Sequence, residues 1–230
     1  MDPIITLRGV TKRYGGSTLP ALDAVDLDIE PGRITAVMGP SGCGKSTLLN
    51  LIGALDRPTA GEIVLDGIRV DRLSESEAAR FRRTRVGFVF QFFHLLEDLT
   101  VRENVAVPAV LAGRRRGEAD AVADEMLAQL GLAAFRDKFP ATLSGGERQR
   151  LAIARAVVNE PTILLADEPT GALDRRNGEV ALALLEDLNR RGQTIVLVTH
   201  DERLAEQAAG RIVSLVDGSI AADRRPRLVA

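Results

Sequence analysis

An apolar run, a glycine-rich loop and an amphipathic helix follow one another without a break from Ile34 to Leu55, and few folds accommodate that order. Ile34 to Met38 is apolar apart from Thr35 and reads as a central parallel strand. Gly39-Pro40-Ser41-Gly42-Cys43-Gly44-Lys45-Ser46 then satisfies the pattern G-x-x-x-x-G-K-[ST] in full. From Ser46 onward Leu48, Leu49, Ile52 and Leu55 share one helical face, and Pro58 lies past the helix end. Glycines let backbone N–H groups surround phosphate oxygens, and the following helix points its positive end at the same anion. Lys45 adds a point charge for the β- and γ-phosphates, and Ser46 offers a hydroxyl to Mg²⁺. The loop sits between a strand and a helix, as it must to bind a nucleoside triphosphate.

A second pair of elements carries acids. Ile163-Leu164-Leu165-Ala166-Asp167-Glu168 ends an apolar strand in two carboxylates, which are costly there without a cation or a task. Asp167 is placed to hold Mg²⁺, directly or through water. Glu168 is placed to orient and deprotonate an attacking water.

Ser144-Gly145-Gly146-Glu147 opens a helix expected to run to about Asn159. Ser144 and Glu147 form a capping box. The box does not account for Gly145 and Gly146, poor helix formers that expose bare backbone at a positively polarised terminus. That suggests a second anion site, gripping the γ-phosphate from another side. Gln91 ends a strand Val86 to Phe90, and His200 ends a strand Thr194 to Thr199. Ligands of open parallel sheets bind beyond the carboxyl ends of strands. Lys45, Gln91, Asp167, Glu168 and His200 all fall there, which argues for a single site.

The rest of the chain completes an α/β reading. Ile4 to Val10, Val25 to Ile29 and Glu62 to Leu65 are further strand candidates. About 92–159 is mostly helical, with Ala119, Val122, Ala123, Met126, Leu127 and Leu130 on one face and Gly131 at the stop. Helices are expected over Gly178 to Arg190 and Asp201 to Ala209. The result is one domain over 1–230, an α/β core interrupted by a helical lobe.

With 45% hydrophobic residues, the 230-residue chain can bury a proper core, and 3% aromatics without Trp leave that core to aliphatic side chains. A net charge of −2 argues against a general nucleic-acid binder. The single Cys43 rules out an internal disulfide or a cysteine-based zinc site and fits a reducing setting. No run approaches the roughly 20 apolar residues that span a bilayer, and the first residues lack a secretory pattern. A soluble chain is expected, with any membrane part supplied by another polypeptide.

Leu143-Ser144-Gly145-Gly146-Glu147, between the phosphate loop and the Asp167-Glu168 strand, resembles the signature of ATP-binding-cassette ATPases. Every expected motif follows in order from Tyr14 to His200. The resemblance implies a parallel-sheet core with an antiparallel β subdomain and an inserted helical subdomain. It implies ATP and Mg²⁺ as cofactors, with Gly39, Pro40, Ser41, Gly42, Cys43, Gly44, Lys45, Ser46 and Thr47 around the phosphates. Tyr14 looks like the adenine-stacking aromatic, or else is a surface tyrosine. Gln91 resembles the glutamine that reaches Mg²⁺ and the attacking water, and His200 the histidine that contacts the γ-phosphate. Ser144, Gly145, Gly146 and Glu147 would close over ATP held by a second, head-to-tail copy. Ala172-Leu173-Asp174 matches the loop that crosses that dimer interface, though its usual first residue is often Ser and here is Gly171.

Gly87 to Leu96, Leu99 to Val105 and Ala166 to Asp174 are similar to the branch for lipoprotein release, macrolide export and peptide efflux. The branch implies an ATPase on the inner face of the cell membrane that drives an integral-membrane permease. A cassette that signals to a cell-wall enzyme or sensor is the alternative. Cassettes for DNA repair or chromosome structure usually carry long coiled coils or zinc cysteines, and neither is present. Phe92 and Phe93 read either as a docking groove for a permease helix or as core of the helical lobe. Arg114-Arg115-Arg116 and Arg224-Arg225 read as solvated faces, with contact to anionic lipid the minor reading.

Overall fold

The computed structural model describes residues 2–16 and 18–226. Ten strands and seven α-helices are found among them. The strands are β1 (Ile5–Lys12), β2 (Leu22–Ile29), β3 (Ile34–Met38), β4 (Ala60–Leu65), β5 (Ile68–Arg69), β6 (Val86–Phe90), β7 (Ile163–Asp167), β8 (Thr194–Val198), β9 (Arg211–Val216) and β10 (Ser219–Arg224). The helices are α1 (Lys45–Ile52), α2 (Glu75–Arg85), α3 (Val101–Leu111), α4 (Arg116–Gln129), α5 (Gly145–Val157), α6 (Arg175–Arg190) and α7 (Glu202–Ala208). The chain divides into two compact units, Met1–Ala79 with Glu186–Ala230, and Arg80–Leu185.

In the first unit β1 pairs antiparallel with β2 and β4, matching Ile5 to Ile29 on one side and to Leu65 on the other. Buried Ile5, Leu7, Leu27, Ile29, Ile63 and Leu65 give that sheet one apolar face, the period-two pattern of a half-covered sheet. A separate block is parallel: β3 lies between β8 and β9, with Val37 opposite Val198 and Val213. All five residues of β8 are buried, as a strand covered on both faces requires. Two Asp-Gly turns close hairpins here. Asp66-Gly67 joins β4 to β5 and Asp217-Gly218 joins β9 to β10. Each turn has positive φ at both residues, 50° and 76° in the first and 47° and 77° in the second. That is the backbone twist a two-residue hairpin favours.

In the second unit β6 and β7 run parallel, with Val86 opposite Ile163 and Phe90 opposite Asp167. Helices α3, α4 and α5 bury a common aliphatic core of Val101, Val105, Ala109, Ala119, Ala123, Leu127, Leu151 and Ala154. The expected helical face of α4 is present, and Gly131 follows the helix with φ 68°. Helix α3 begins at a complete capping box of Thr100 and Glu103. No helix among the described residues is long and apolar enough to cross a membrane.

Candidate functional site

In the first unit β3 and β8 end together, so the phosphate loop and His200 leave from the same carboxyl edge. Gly39, Gly42 and Gly44 hold φ of 153°, 79° and 107°, conformations that side chains disfavour. A Cβ on Gly44 would stand 2.3 Å from the Ala21 carbonyl oxygen, so the close approach also needs glycine. Gly44 is the N-cap of α1 and supplies no side-chain cap, and the first turn carries no acid. The terminus therefore keeps its positive polarisation for an anion. Lys45 is buried and donates from Nζ to the carbonyls of Gly39 at 2.8 Å and Pro40 at 2.9 Å. Its ammonium is held inside the loop it serves. Ser46 is exposed at the start of the same helix.

Tyr14 follows β1, 45% exposed. Its hydroxyl donates to Oδ2 of Asp56 at 3.0 Å, and Lys12 Nζ sits 4.8 Å from its ring centroid. Lys12 also pairs with Oδ1 of Asp56 at 2.6 Å. Burial raises the Asp56 pKa, but hydrogen bonds from Lys12, the Arg57 amide and Tyr14 outweigh it and hold the carboxyl below its usual range. The ring thus has a fixed tilt, with one face over a cation. Asp56 was not legible in the sequence, because it stands 42 residues from Tyr14.

In the second unit the β6–β7 register decides the arrangement. With Phe90 opposite Asp167, Gln91 and Glu168 emerge side by side past the carboxyl ends. Glu168 has φ 47°, a left-handed conformation that costs a non-glycine residue about 1–2 kcal/mol. Its carbonyl accepts from the Gly171 amide at 3.0 Å, closing a turn directly after the strand. Such strain in a non-glycine residue points toward function.

The signature helix α5 begins as expected. Ser144 Oγ accepts from the Glu147 amide at 3.4 Å, and Glu147 Oε2 accepts from the Ser144 amide and hydroxyl, both at 2.7 Å. These bonds hold the Glu147 carboxyl below its usual range. The two glycines, however, have different reasons. Gly145 is exposed, as bare backbone would be, but Gly146 is buried. A Cβ there would stand 2.2 Å from Oδ1 of Asn177. Asn177 in turn donates to Asp174, from its amide at 2.8 Å and from Nδ2 at 2.7 Å. Close packing of α6, not exposure, accounts for Gly146, and it ties Asp174 to the start of α5.

The rings near Gln91 separate the two readings of Phe92 and Phe93. Phe92 is 68% exposed, so it is not core of the helical lobe. A groove of about 250 Å³ is lined instead by Phe88 and Phe90 with Val86, Pro108, Arg155 and Asn159. Phe88 and Phe90 stack at 5.5 Å on one face of β6. Their i, i+2 spacing was the sequence signal for this groove.

Ser46, Gln91 and Asp167 offer a hydroxyl, an amide oxygen and a carboxylate, all hard oxygen donors. That donor chemistry suits Mg²⁺ with phosphate and water as co-ligands, rather than a transition metal.

Residues 22–171 match the ABC transporter family. The chain belongs to that family. It is 49% identical over 225 residues to the macrolide export ATP-binding/permease protein MacB 1/2 of Paracoccus denitrificans, covering 97% of this chain and 34% of that protein. It is 47% identical over 225 residues to MacB of Escherichia coli, covering 97% and 35%. The cassette thus spans about a third of the length of the curated relatives it matches. Among solved structures it is similar to the dimeric, post-hydrolysis state of the ATP-binding cassette MJ0796 bound to ADP and Pi. The TM-score is 0.88 and the identity 43%, over 97% of this chain and 99% of that one. CbiO1 of Clostridium perfringens, part of the transporter complex CbiONQ, gives a TM-score of 0.88 at 29% identity over 100% and 91%.

Proposed function

We propose that this cassette binds MgATP, closes on a second copy and hydrolyses the nucleotide to drive an integral-membrane permease of the macrolide-export type. The observation that carries the hydrolytic part is Glu168, strained to φ 47° just past β7 with Gln91 alongside. A carboxylate fixed there can take a proton from water as it attacks the γ-phosphate. Ser46, Gln91 and Asp167 are the residues that would hold Mg²⁺, and the ion, when bound, would neutralise charge developing on the transferred phosphoryl group. The loop from Gly39 to Thr47 cradles the phosphates, and Lys45 pairs with their charge. Tyr14 stacks on adenine, and His200 contacts the γ-phosphate. Ser144 to Glu147 act on the nucleotide of the partner copy, with Asp174 at the interface.

The names of the relatives support the permease assignment, since in those proteins an ATP-binding part and a permease part share one chain. The cassette would therefore work peripherally on the cytoplasmic face of the membrane. The groove that carries Phe88 and Phe90 is the proposed seat for a permease helix.

The test of the hydrolytic reading is Glu168→Gln, which keeps the shape of the side chain and removes its basicity. Turnover is expected to fall by about 100-fold or more, with ATP affinity retained and an ATP-bound dimer accumulating. Near wild-type phosphate release from that variant would remove Glu168 from the role of base.

A further inference from the structure

Arg155 on α5 spends its charge in an unusual way. Its guanidinium donates to two backbone carbonyls, Phe93 O at 2.8 Å and His94 O. No carboxylate pairs with it among the described residues, and burial pulls its pKa below the ordinary arginine value. A half-buried charge that meets only neutral acceptors is desolvated without a counter-charge and calls for a reason.

The reason lies in the turn it holds. Phe93 and His94 are consecutive residues at φ 62° and 49°, both left-handed and neither glycine. Within the turn, His94 N bonds Phe92 O at 2.6 Å and the His94 ring packs on Phe90 at 4.7 Å. Downstream the same segment is fastened by buried Asn104, whose Nδ2 donates to the carbonyls of Leu96, Leu99 and Thr100. Gln91 leads into this turn directly from β6. A strained pair of this kind persists only when its surroundings over-determine it. A planar guanidinium can bridge two carbonyls, whereas an ammonium is a single point charge.

We propose that Arg155 is a positioning residue for hydrolysis: by clamping Phe93 and His94 it sets where the Gln91 side chain stands. The proposal rests on the reading that Gln91 serves the metal and the attacking water. Because Arg155 lies on the same helix that opens at Ser144, this one helix carries both the signature residues and the clamp on Gln91.

The test compares the wild-type chain with Arg155→Lys and Gln91→Ala. In Arg155→Lys, hydrogen exchange over 91–96 is expected to speed up about tenfold while α5 and β7 keep their protection. Turnover should fall on the order of 10–100-fold. ATP affinity, measured in a Glu168→Gln background, should stay within about twofold. Unchanged exchange over 91–96 with unchanged turnover would overturn the clamp. So would loosening throughout α5 with a collapsed thermal midpoint, which would make Arg155 a folding residue. If Gln91→Ala retains full turnover, the reading of Gln91 fails. If Gln91→Ala is slow and Arg155→Lys is not, the clamp alone fails.

Discussion

Gln91 and Gly171 are fitted to one another: a Cβ on residue 171 would stand 2.8 Å from Nε2 of Gln91 and 3.3 Å from its Cγ. Gly171 is not in the left-handed region, so its backbone would accept any side chain. What it supplies is room, one step past the Glu168 turn. Glycine at this position, where the resemblance gives Ser as the usual residue, leaves that room to the Gln91 amide.

Gly171→Ser should leave the fold intact, because the atom it meets is the far end of a flexible side chain. It should displace the Gln91 amide and lower turnover by about tenfold. The measurement is steady-state phosphate release beside a thermal melt. Unaltered kinetics would show that the position of the Gln91 amide is not critical.

Asp56→Asn should weaken the hydrogen bonds that orient Tyr14 and Lys12. If Tyr14 is the adenine platform, ATP affinity should fall by about 3–10-fold, the scale of one stacking contact. Inorganic tripolyphosphate has no base, so its affinity should stay within about twofold of wild type. An equal loss for both ligands would mean that Asp56 merely supports the surrounding loops.

The capping box of α5 predicts a pH dependence. Ser144 holds the Glu147 carboxyl below its ordinary value of 4.5, so the folded state binds the proton less tightly than the unfolded state. The contribution is then present above pH 4.5 and is lost as pH falls through the lower, folded value. Glu147→Ala should lower the thermal midpoint by about 2 °C at neutral pH. The gap between variant and wild type should narrow on acidification below 4.5. A gap that widens there would contradict the assignment.

Subunit mixing tests the composite site. Lys45→Ala and Ser144→Arg homodimers each carry two broken sites if Ser144 acts on the partner's nucleotide. A mixed dimer carries one doubly broken site and one intact site. Mixing the inactive variants, with subunit exchange shown to occur, should restore partial phosphate release, with a maximum near equal amounts. A flat profile at background, with mixed dimers shown to form, counts against the composite site or means that both sites must be intact together, and tethered dimers separate those two outcomes.

Much of the cassette was determined by the sequence itself, because the rules involved are local. A Gly-rich loop between an apolar run and a helical face specifies the phosphate cradle within Ile34 to Leu55. A serine three residues before a glutamate specifies the start of α5. Apolar runs ending in Asp167-Glu168 and Gln91 mark strand ends. Asp66-Gly67 and Asp217-Gly218 are local hairpin signals of the same kind, whereas polar α2 offers only Ala78 and Phe81 as buried apolar residues. Contacts between distant residues were another matter. Register alone set Phe90 against Asp167 and so placed Gln91 beside Glu168. Helix packing gave Gly146 its purpose against Asn177, and it set Arg155 on carbonyls 61 and 62 residues away. Those relations depend on how sheets and helices approach one another, which no spacing along a single chain records.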